Sequence, residues 1–308
     1  MKSFLSCDWG NSSFRLRLFD GVRNQVSAEM QSDEGIAETY RQWVEADKPE
    51  SERIQFYRKK LILSINQLPG DIDKSLPIFL SGMASSSIGF KELPYQKFPF
   101  TWNPSRFIVQ QIEADRDFSH TLYIISGFQT DDDIMRGEET MLLGCEVSDD
   151  REKIFIFPGT HSKHVFVENR MGLYFKTYMT GELFNLLAEK SILRDGPKKE
   201  MDEIPFTEGV QSGIKGNLLN TIFSVRVRKL IKQVNPAGNY QYLSGLLIGA
   251  ELKELSEASC SIYLVCGQQL KNAYLIALRT IGVNGEIHYL NADDMLVKGQ
   301  CKIASQFL

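Results

Sequence analysis

Apolar and polar positions fall in blocks along this chain, and the clearest block comes first. The run Phe4-Leu5-Ser6-Cys7 empties into Asp8-Trp9-Gly10-Asn11-Ser12-Ser13, and alternation resumes from Phe14 to Phe19. That pattern is strand, tight polar turn, strand: a β-hairpin. It recurs in the second half, where Ile154-Phe155-Ile156-Phe157 runs into Pro158-Gly159-Thr160-His161 and a second strand leaves over Ser162 to Val167. Between them, Ile54, Tyr57, Leu61, Ile65 and Leu68 have helical spacing, and Pro69-Gly70 ends the helix. Pro77 to Leu80 and Leu122 to Ile125 are short buried strands, each followed by Ser-Gly. Thr140 to Val147 is expected to be helical, with acids at its start as the helix dipole favours.

Beyond the second hairpin, Thr180 is expected to cap a helix, with Glu182 one place early for the ideal capping box. Residues 195–209 read as a loop and 213–234 as one helix. Leu243 to Glu251 carries small residues four apart, which suits close helix packing. Ser261 to Cys266 is a buried strand ending at Gly267, a floor for an adenine ring, and a last helix over Lys298 to Phe307 is expected to return to the first domain. The fold class is therefore α/β.

Both hairpin turns have the chemistry of a phosphate cradle. Backbone N–H groups and hydroxyls on a glycine-containing turn hold phosphate oxygens, and a carboxylate such as Asp8 binds Mg²⁺ directly or through water. A plain polar turn is the alternative at either site alone. Two such turns, one in each half, imply two similar domains clamping one nucleotide. No Gly-x₄-Gly-Lys-Ser/Thr and no Gly-x-Gly-x-x-Gly occurs, so the two commonest other nucleotide signatures are missing. The segment after Leu80, Ser81-Gly82-Met83, sits where open α/β sheets bind ligands, with a structural loop as the alternative. Arg136, Glu138 and Glu139 precede the second hairpin. A carboxylate there can take a proton from an attacking hydroxyl, and the arginine can pair with an anionic substrate.

Composition narrows the picture. The 308 residues are 43% hydrophobic and 24% charged, as in an ordinary globular protein, and their number favours two domains. A formal net charge of −4 with no basic tract argues against a nucleic-acid partner. Arg226, Arg228, Lys229 and Lys232 are read as a solvated helix face. The five cysteines form no C-x-x-C pair and are read as buried thiols. His161 and His164 lack the companions of a zinc site. Met1-Lys2 leads into only a short apolar run, and the stretch from Leu243 to Leu252 is too interrupted to span a bilayer, so a cytoplasmic protein without a membrane partner is expected.

With these blocks in place, the chain resembles the 2-dehydro-3-deoxygalactonokinases, sugar-acid kinases of the actin/hexokinase superfamily. The resemblance rests on Asp8-Trp9-Gly10, Ser81-Gly82-Met83, Met135-Arg136-Gly137-Glu138-Glu139-Thr140, Pro158-Gly159-Thr160-His161, Met179-Thr180-Gly181-Glu182-Leu183 and Leu243 to Glu251, in family order. Two departures are visible. Asn11-Ser12-Ser13 stands where the family more often has Ser or Thr then Asn, and Phe90 stands where Trp is expected.

The resemblance implies a two-domain actin-like fold with an interdomain cleft, divided as 1–135 and 136–308, with segment 126–150 crossing between the domains. It implies transfer of the γ-phosphate of ATP to the 6-hydroxyl of 2-dehydro-3-deoxy-D-galactonate, with Mg²⁺. Asp8 would act on the metal, while Gly10, Asn11, Ser12, Gly159, Thr160 and His161 surround the β- and γ-phosphates. Arg15 would reach a phosphate and Gly267 would border the adenosine. Ser81, Gly82, Met83, Thr180, Gly181 and Glu182 would meet the sugar acid. The spacing from Gly137 to Gly144 matches the Gly-Asp-Gln segment of related carbohydrate kinases and puts Glu138 in the place of the base, with Glu139 and Asp133 as alternatives and Arg136 on the substrate carboxylate or the transferring phosphate. A kinase for another hexose or sugar acid on the same fold, or a sugar-sensing protein without turnover, is the competing reading, and a homodimer is left open. Sugar-responsive repressors of this superfamily begin with a helix-turn-helix, for which the seven residues before Asp8 leave no room.

Overall fold

The computed structural model describes residues 1–147, 149–194 and 201–308. The chain forms two compact units. One comprises Met1–Ser148, Arg170–Gly172 and Asp293–Leu308, and the other Asp149–Asn169 and Leu173–Ala292. The C-terminal residues Asp293–Leu308, which follow the second unit in sequence, thus cluster with the first unit.

In the first unit the chain runs β1 (Phe4–Trp9), β2 (Phe14–Asp20), β3 (Gln25–Ser32), α1 (Ile36–Glu45), α2 (Arg53–Ile65) and β4 (Ile78–Gly82). It continues through the short strands β5 (Gln96–Lys97) and β6 (Phe100–Thr101), then β7 (Val109–Ile112), β8 (Leu122–Ile125), β9 (Phe128–Gln129), β10 (Ile134–Met135) and α3 (Glu138–Gly144). The main sheet has the order β3-β2-β1-β4-β8-β7. Strands β1, β2 and β3 pair antiparallel, whereas β4 lies parallel to β1 and β8 parallel to β4. β1 and β4 are buried throughout, which is why they read as unbroken apolar runs. Helix α2 buries Tyr57, Leu61 and Ile65 of the expected face, with Arg58 beside them, whereas Ile54 in its first turn is exposed.

The second unit repeats this plan. Its chain runs β11 (Lys153–Phe157), β12 (Ser162–Glu168), β13 (Met171–Tyr178), α4 (Thr180–Lys190), α5 (Glu203–Lys215), α6 (Leu218–Thr221), α7 (Ser224–Leu230), α8 (Pro236–Leu252), β14 (Ser261–Cys266), α9 (Gln268–Ile281) and β15 (Ile287–Asn291). The strand order is β15-β14-β11-β12-β13, with β11 antiparallel to β12 and parallel to β14, and β14 parallel to β15. In each unit, therefore, a hairpin opens the sheet, the third strand flanks the second, and two later strands add in parallel beside the first. Met171 and Gly172, which belong to the first unit, pair with β6.

Helices α5 and α8 pack backbone to backbone. A Cβ on Gly245 would lie 2.0 Å from Phe206 O, one on Gly209 2.1 Å from Tyr242 O, and one on Gly213 2.2 Å from Leu246 O. The small residues four apart are this contact. The last helix, α10 (Ala292–Ala304), lies with the first unit from Asp293 onward and makes the same kind of approach: a Cβ on Gly299 would lie 1.9 Å from Thr140 O.

Several expected bounds move. The loop ends by Glu203, because Asp202 caps α5 through the Ile204 N–H and Pro205 fits the first turn; the rest of the expected loop, 195–200, lies outside the described residues. The single helix expected over 213–234 is broken at Gly216 and again around Ile222, where Asn217 caps the short α6. Helix α3 starts at Glu138 and stops at Gly144 rather than spanning 140–147.

Candidate active site

Each hairpin turn is pinned by the helix that follows the third strand of its unit. In the first unit, Ile36 N–H donates to Gly10 O at 2.9 Å and Ala37 N–H to Asn11 O at 3.1 Å. Gly35 makes this approach feasible, since a Cβ there would lie 2.3 Å from Asn11 O. In the second unit, Glu182 N–H donates to Thr160 O at 3.0 Å, and a Cβ on Gly181 would lie 2.5 Å from Gly159 O. Two sequence blocks assigned to different ligands, Gly159-Thr160-His161 and Thr180-Gly181-Glu182, are thus one local structure. His161 Nε2 lies 2.5 Å from Glu182 Oε2. Thr180 is not the cap: it is buried as the first helical residue, and Met179 before it makes no side-chain capping bond.

Asp8 is the penultimate residue of β1, beside Ser81 and facing Arg15 across the hairpin. Its Oδ2 lies 3.4 Å from Arg15 Nη1. Burial pushes the Asp8 carboxyl above its ordinary value, against the pull of Arg15 and Arg17. Arg17 is fully buried and binds Asp293 at 2.6 Å and Glu29 at 2.8 Å, and Arg15 Nε lies 3.7 Å from the same Asp293 oxygen. Asp293 escaped the sequence analysis. It looks like an ordinary first-turn acid of α10, and only the alternation that buries Arg17 hints that a distant carboxylate must meet it. Asn11 and Ser12 are exposed at the tip.

The end of β4 lies against Asp8. Gly82 has φ +80°, and a Cβ there would meet Trp9 O at 2.8 Å and Asp8 Oδ1 at 3.3 Å. Gly137, with φ +109°, sits over it: a Cβ would lie 3.4 Å from Gly82 Cα. These glycines bring the start of α3 to the carboxyl end of β1 and β4. Ser81 and Gly82 therefore belong to the strand and its turn, and Met83 opens a 3₁₀ turn, 83–85, rather than an open loop.

Around α3 the two glutamates differ. Glu139 is buried, accepting the Gly137 N–H at 2.7 Å and the Thr140 hydroxyl at 2.9 Å. Burial, then the neighbouring Glu138 charge, pushes its carboxyl up to about 8. Glu138 is half-buried and its Oε2 accepts the Arg136 N–H at 3.1 Å. Arg136 donates to Ser85 O at 2.6 Å and Ser85 Oγ at 2.5 Å, and stacks over the Tyr95 ring at 4.1 Å. Asp133 shapes the preceding turn, its Oδ1 accepting the Ile134 N–H at 2.7 Å. Gln300 of α10 donates to Cys7 O, Phe79 O and Ser81 Oγ, tying the ends of β1 and β4 together. Phe90 is a core side chain against Tyr57, so that departure from the family pattern is one of packing.

In the second unit Gly159 and Gly267 follow the carboxyl ends of the parallel strands β11 and β14, and among the described residues no atom beyond the chain neighbours lies within 4 Å of a Cβ built on either. Packing demands neither glycine, and the space beside each is open to a ligand. His164, on the exit strand β12, is a buried partner of Glu251, at 3.0 Å. Arg228 is not on a solvated face either: it pairs with Glu208 at 2.9 Å and covers the Tyr242 ring at 4.1 Å.

Two units of one strand order, each opening on a pinned glycine turn, define an actin-like phosphotransferase fold. A model of the 2-keto-3-deoxy-galactonokinase family matches residues 8–303, and the chain belongs to that family. It is 28% identical to the 2-dehydro-3-deoxygalactonokinase of Escherichia coli (strain K12), over 91% of this chain and 90% of that one. It is 30% identical to the "Probable 2-dehydro-3-deoxygalactonokinase" of Rhizobium meliloti (strain 1021), over 96% and 94%. The crystal structure of "a putative 2-dehydro-3-deoxygalactonokinase protein" from Sinorhizobium meliloti matches with a TM-score of 0.82 at 29% identity, covering 98% of this chain and 96% of that one. The protein is thus a sugar-acid kinase in class, and a kinase uses ATP as its phosphoryl donor. No helix among the described residues is long and apolar enough to cross a membrane.

Proposed function

We propose that this kinase transfers the γ-phosphoryl group of ATP to the 6-hydroxyl of 2-dehydro-3-deoxy-D-galactonate. The observation that carries the reading is the seating of Gly137 on Gly82, which sets the first turn of α3 at the strand ends that carry Asp8. A base and a metal-facing carboxylate are needed together in phosphoryl transfer, where positioning and charge neutralisation do most of the work.

Glu138 is the base that accepts the hydroxyl proton. Glu139 is the poorer candidate, because it is buried with one oxygen held by the Gly137 N–H and the other by the Thr140 hydroxyl. Arg136 and the Ser81-Gly82-Met83 segment meet the sugar acid, with the guanidinium directed at its carboxylate. Glu182, tied to His161, orders the second turn. In that turn Gly159, Thr160 and His161 meet the β- and γ-phosphates, and Gly267 borders the adenosine. In the first turn Gly10, Asn11 and Ser12 offer N–H groups and side-chain donors to phosphate oxygens, and Arg15 reaches a phosphate.

Among the described residues no group of three or more His, Cys, Asp or Glu gathers as a metal cage, so a divalent cation would be held by Asp8 through water and by the phosphates. Asp8 is a buried carboxylate whose nearest cation, Arg15, is 3.4 Å away, so a Mg²⁺ held through water is a partner that its burial favours. Such an ion supplies neutralisation of phosphate charge. Incubation with ATP, Mg²⁺ and a panel of sugar acids tests the reading; transfer confined to other sugar acids would refute the substrate named here.

A further inference from the structure

A buried polar chain runs from the phosphate turn of the second unit into its core. Gly159 N–H donates to Ser162 Oγ at 3.4 Å, Ser162 Oγ lies 3.1 Å from Tyr274 OH, and Tyr274 OH donates to Glu251 Oε2 at 2.8 Å. The other Glu251 oxygen is 3.0 Å from His164 Nε2. Ser162 and His164 lie on β12, Glu251 on α8 and Tyr274 on α9, so the chain ties three elements to one turn. All four side chains are buried, Glu251 at 3% exposure and Tyr274 at 2%.

The direction of every proton follows. His164 Nδ1 is buried without a hydrogen-bond partner among the described residues. With the ring proton assigned to Nε2, His164 donates to Glu251 and no N–H is left unpartnered at Nδ1. Both carboxylate oxygens of Glu251 then accept, one from His164 and one from Tyr274. The Tyr274 oxygen is left to accept from the Ser162 hydroxyl, whose oxygen accepts from Gly159. Each bond polarises the next, and the chain ends on a carboxylate.

We infer that Glu251 and Tyr274 are positioning residues for the phosphate turn, holding the Gly159-Thr160-His161 backbone in the shape that receives ATP. A packing role alone does not require the string to end on the turn's own amide. Helices α8 and α9 already bury Leu252, Ala277 and Leu278 in an apolar core with Ile154 and Ile156 of β11. The chain instead gives the Gly159 N–H a partner that helix α4 does not supply, since α4 donates to Thr160 O and packs against Gly159 O.

This inference rests on the reading that the turn meets ATP, and the experiment separates the two. Tyr274→Phe keeps the ring and removes the link, and Ser162→Ala removes the next link. Steady-state kinetics with ATP and the sugar acid varied in turn, alongside thermal unfolding, should show KM for ATP raised about tenfold in either variant, roughly 1.4 kcal/mol of lost binding. KM for the sugar acid should stay unchanged, and the double variant should be no worse than the poorer single one. Thr160→Ala is the control for the turn itself. An ATP KM raised by Thr160→Ala but unmoved by Tyr274→Phe and Ser162→Ala, with only the melting temperature lowered, would overturn the positioning role. An ATP KM unmoved in all three would overturn the ATP reading of the turn and the inference with it. Should Tyr274→Phe fail to fold, Ser162→Ala decides alone.

Discussion

Glu139 Oε2 accepts the Gly137 N–H at 2.7 Å, whereas its neighbour Glu138 accepts the Arg136 N–H just before it. Adjacent acids on one turn thus have separate tasks. The buried one closes the turn that seats Gly137, and the half-buried one remains at the end of the sheet. Glu138→Gln should cut turnover by about 10²–10⁴-fold, the usual worth of a general base, with ATP binding retained. Near-normal turnover would move the role elsewhere.

The same pair gives a pH prediction. The Glu139 carboxyl rises from 4.5 to about 8. Between those values the folded protein holds a proton that the unfolded chain releases, so this group's stability contribution is complete below about 4.5 and declines as pH rises to about 8. The slope is at most about 1.4 kcal/mol per pH unit. Denaturant unfolding of the wild type and Glu139→Gln at pH 5.5 and 8 should show the wild type losing ground to the variant at the higher pH. A difference independent of pH would refute the shift.

Gly159→Ala separates folding from ligand binding. With no atom of the described residues beyond its chain neighbours within 4 Å of the added Cβ, the melting temperature should hardly move, while KM for ATP rises severalfold because the methyl occupies the open space beside the turn. A large stability loss with ATP binding intact would contradict this assignment.

Gly245→Val is the opposite case. Its Cβ would lie 2.0 Å from Phe206 O, so α5 and α8 must move apart. Overpacking of this kind costs roughly 1–3 kcal/mol or more. Unfolding should occur at lower temperature or denaturant, with turnover per folded molecule little changed.

Much of this was legible in the sequence, and what was not has a physical cause. β1, β4, β8 and β11 are buried on both faces, and continuous apolar runs declare them. The hairpin turns are local and carry their own glycine. Helix α1, which pins the first turn, was missed because only three of its ten residues, Ile36, Thr39 and Trp43, are buried. Asp293 and Gln300 were missed because their partners lie far off in sequence, and no spacing rule reaches Arg17 or Ser81. Glu251 and His164 appeared only as a block end and a strand residue; their pairing is tertiary. Arg228 was misplaced because a charge at helical spacing does not reveal whether an aromatic ring lies beneath it.

Asp8→Asn bears on the metal. If Asp8 holds Mg²⁺ through water, the Mg²⁺ concentration for half-maximal rate should rise or turnover should fall by about 10–100-fold, as for outer-sphere ligands generally. Titration of Mg²⁺ with nucleotide binding as a second readout checks it, and unchanged behaviour in both would remove Asp8 from the metal site.

The central claim is most directly tested by the product. The purified protein with ATP, Mg²⁺ and 2-dehydro-3-deoxy-D-galactonate should yield ADP and one phosphate monoester, located at carbon 6 by mass spectrometry and ³¹P-coupled NMR. The Glu138→Gln variant should form it at least a hundredfold more slowly. ATP consumption without a sugar phosphate, or a phosphate on any other hydroxyl, would contradict the account.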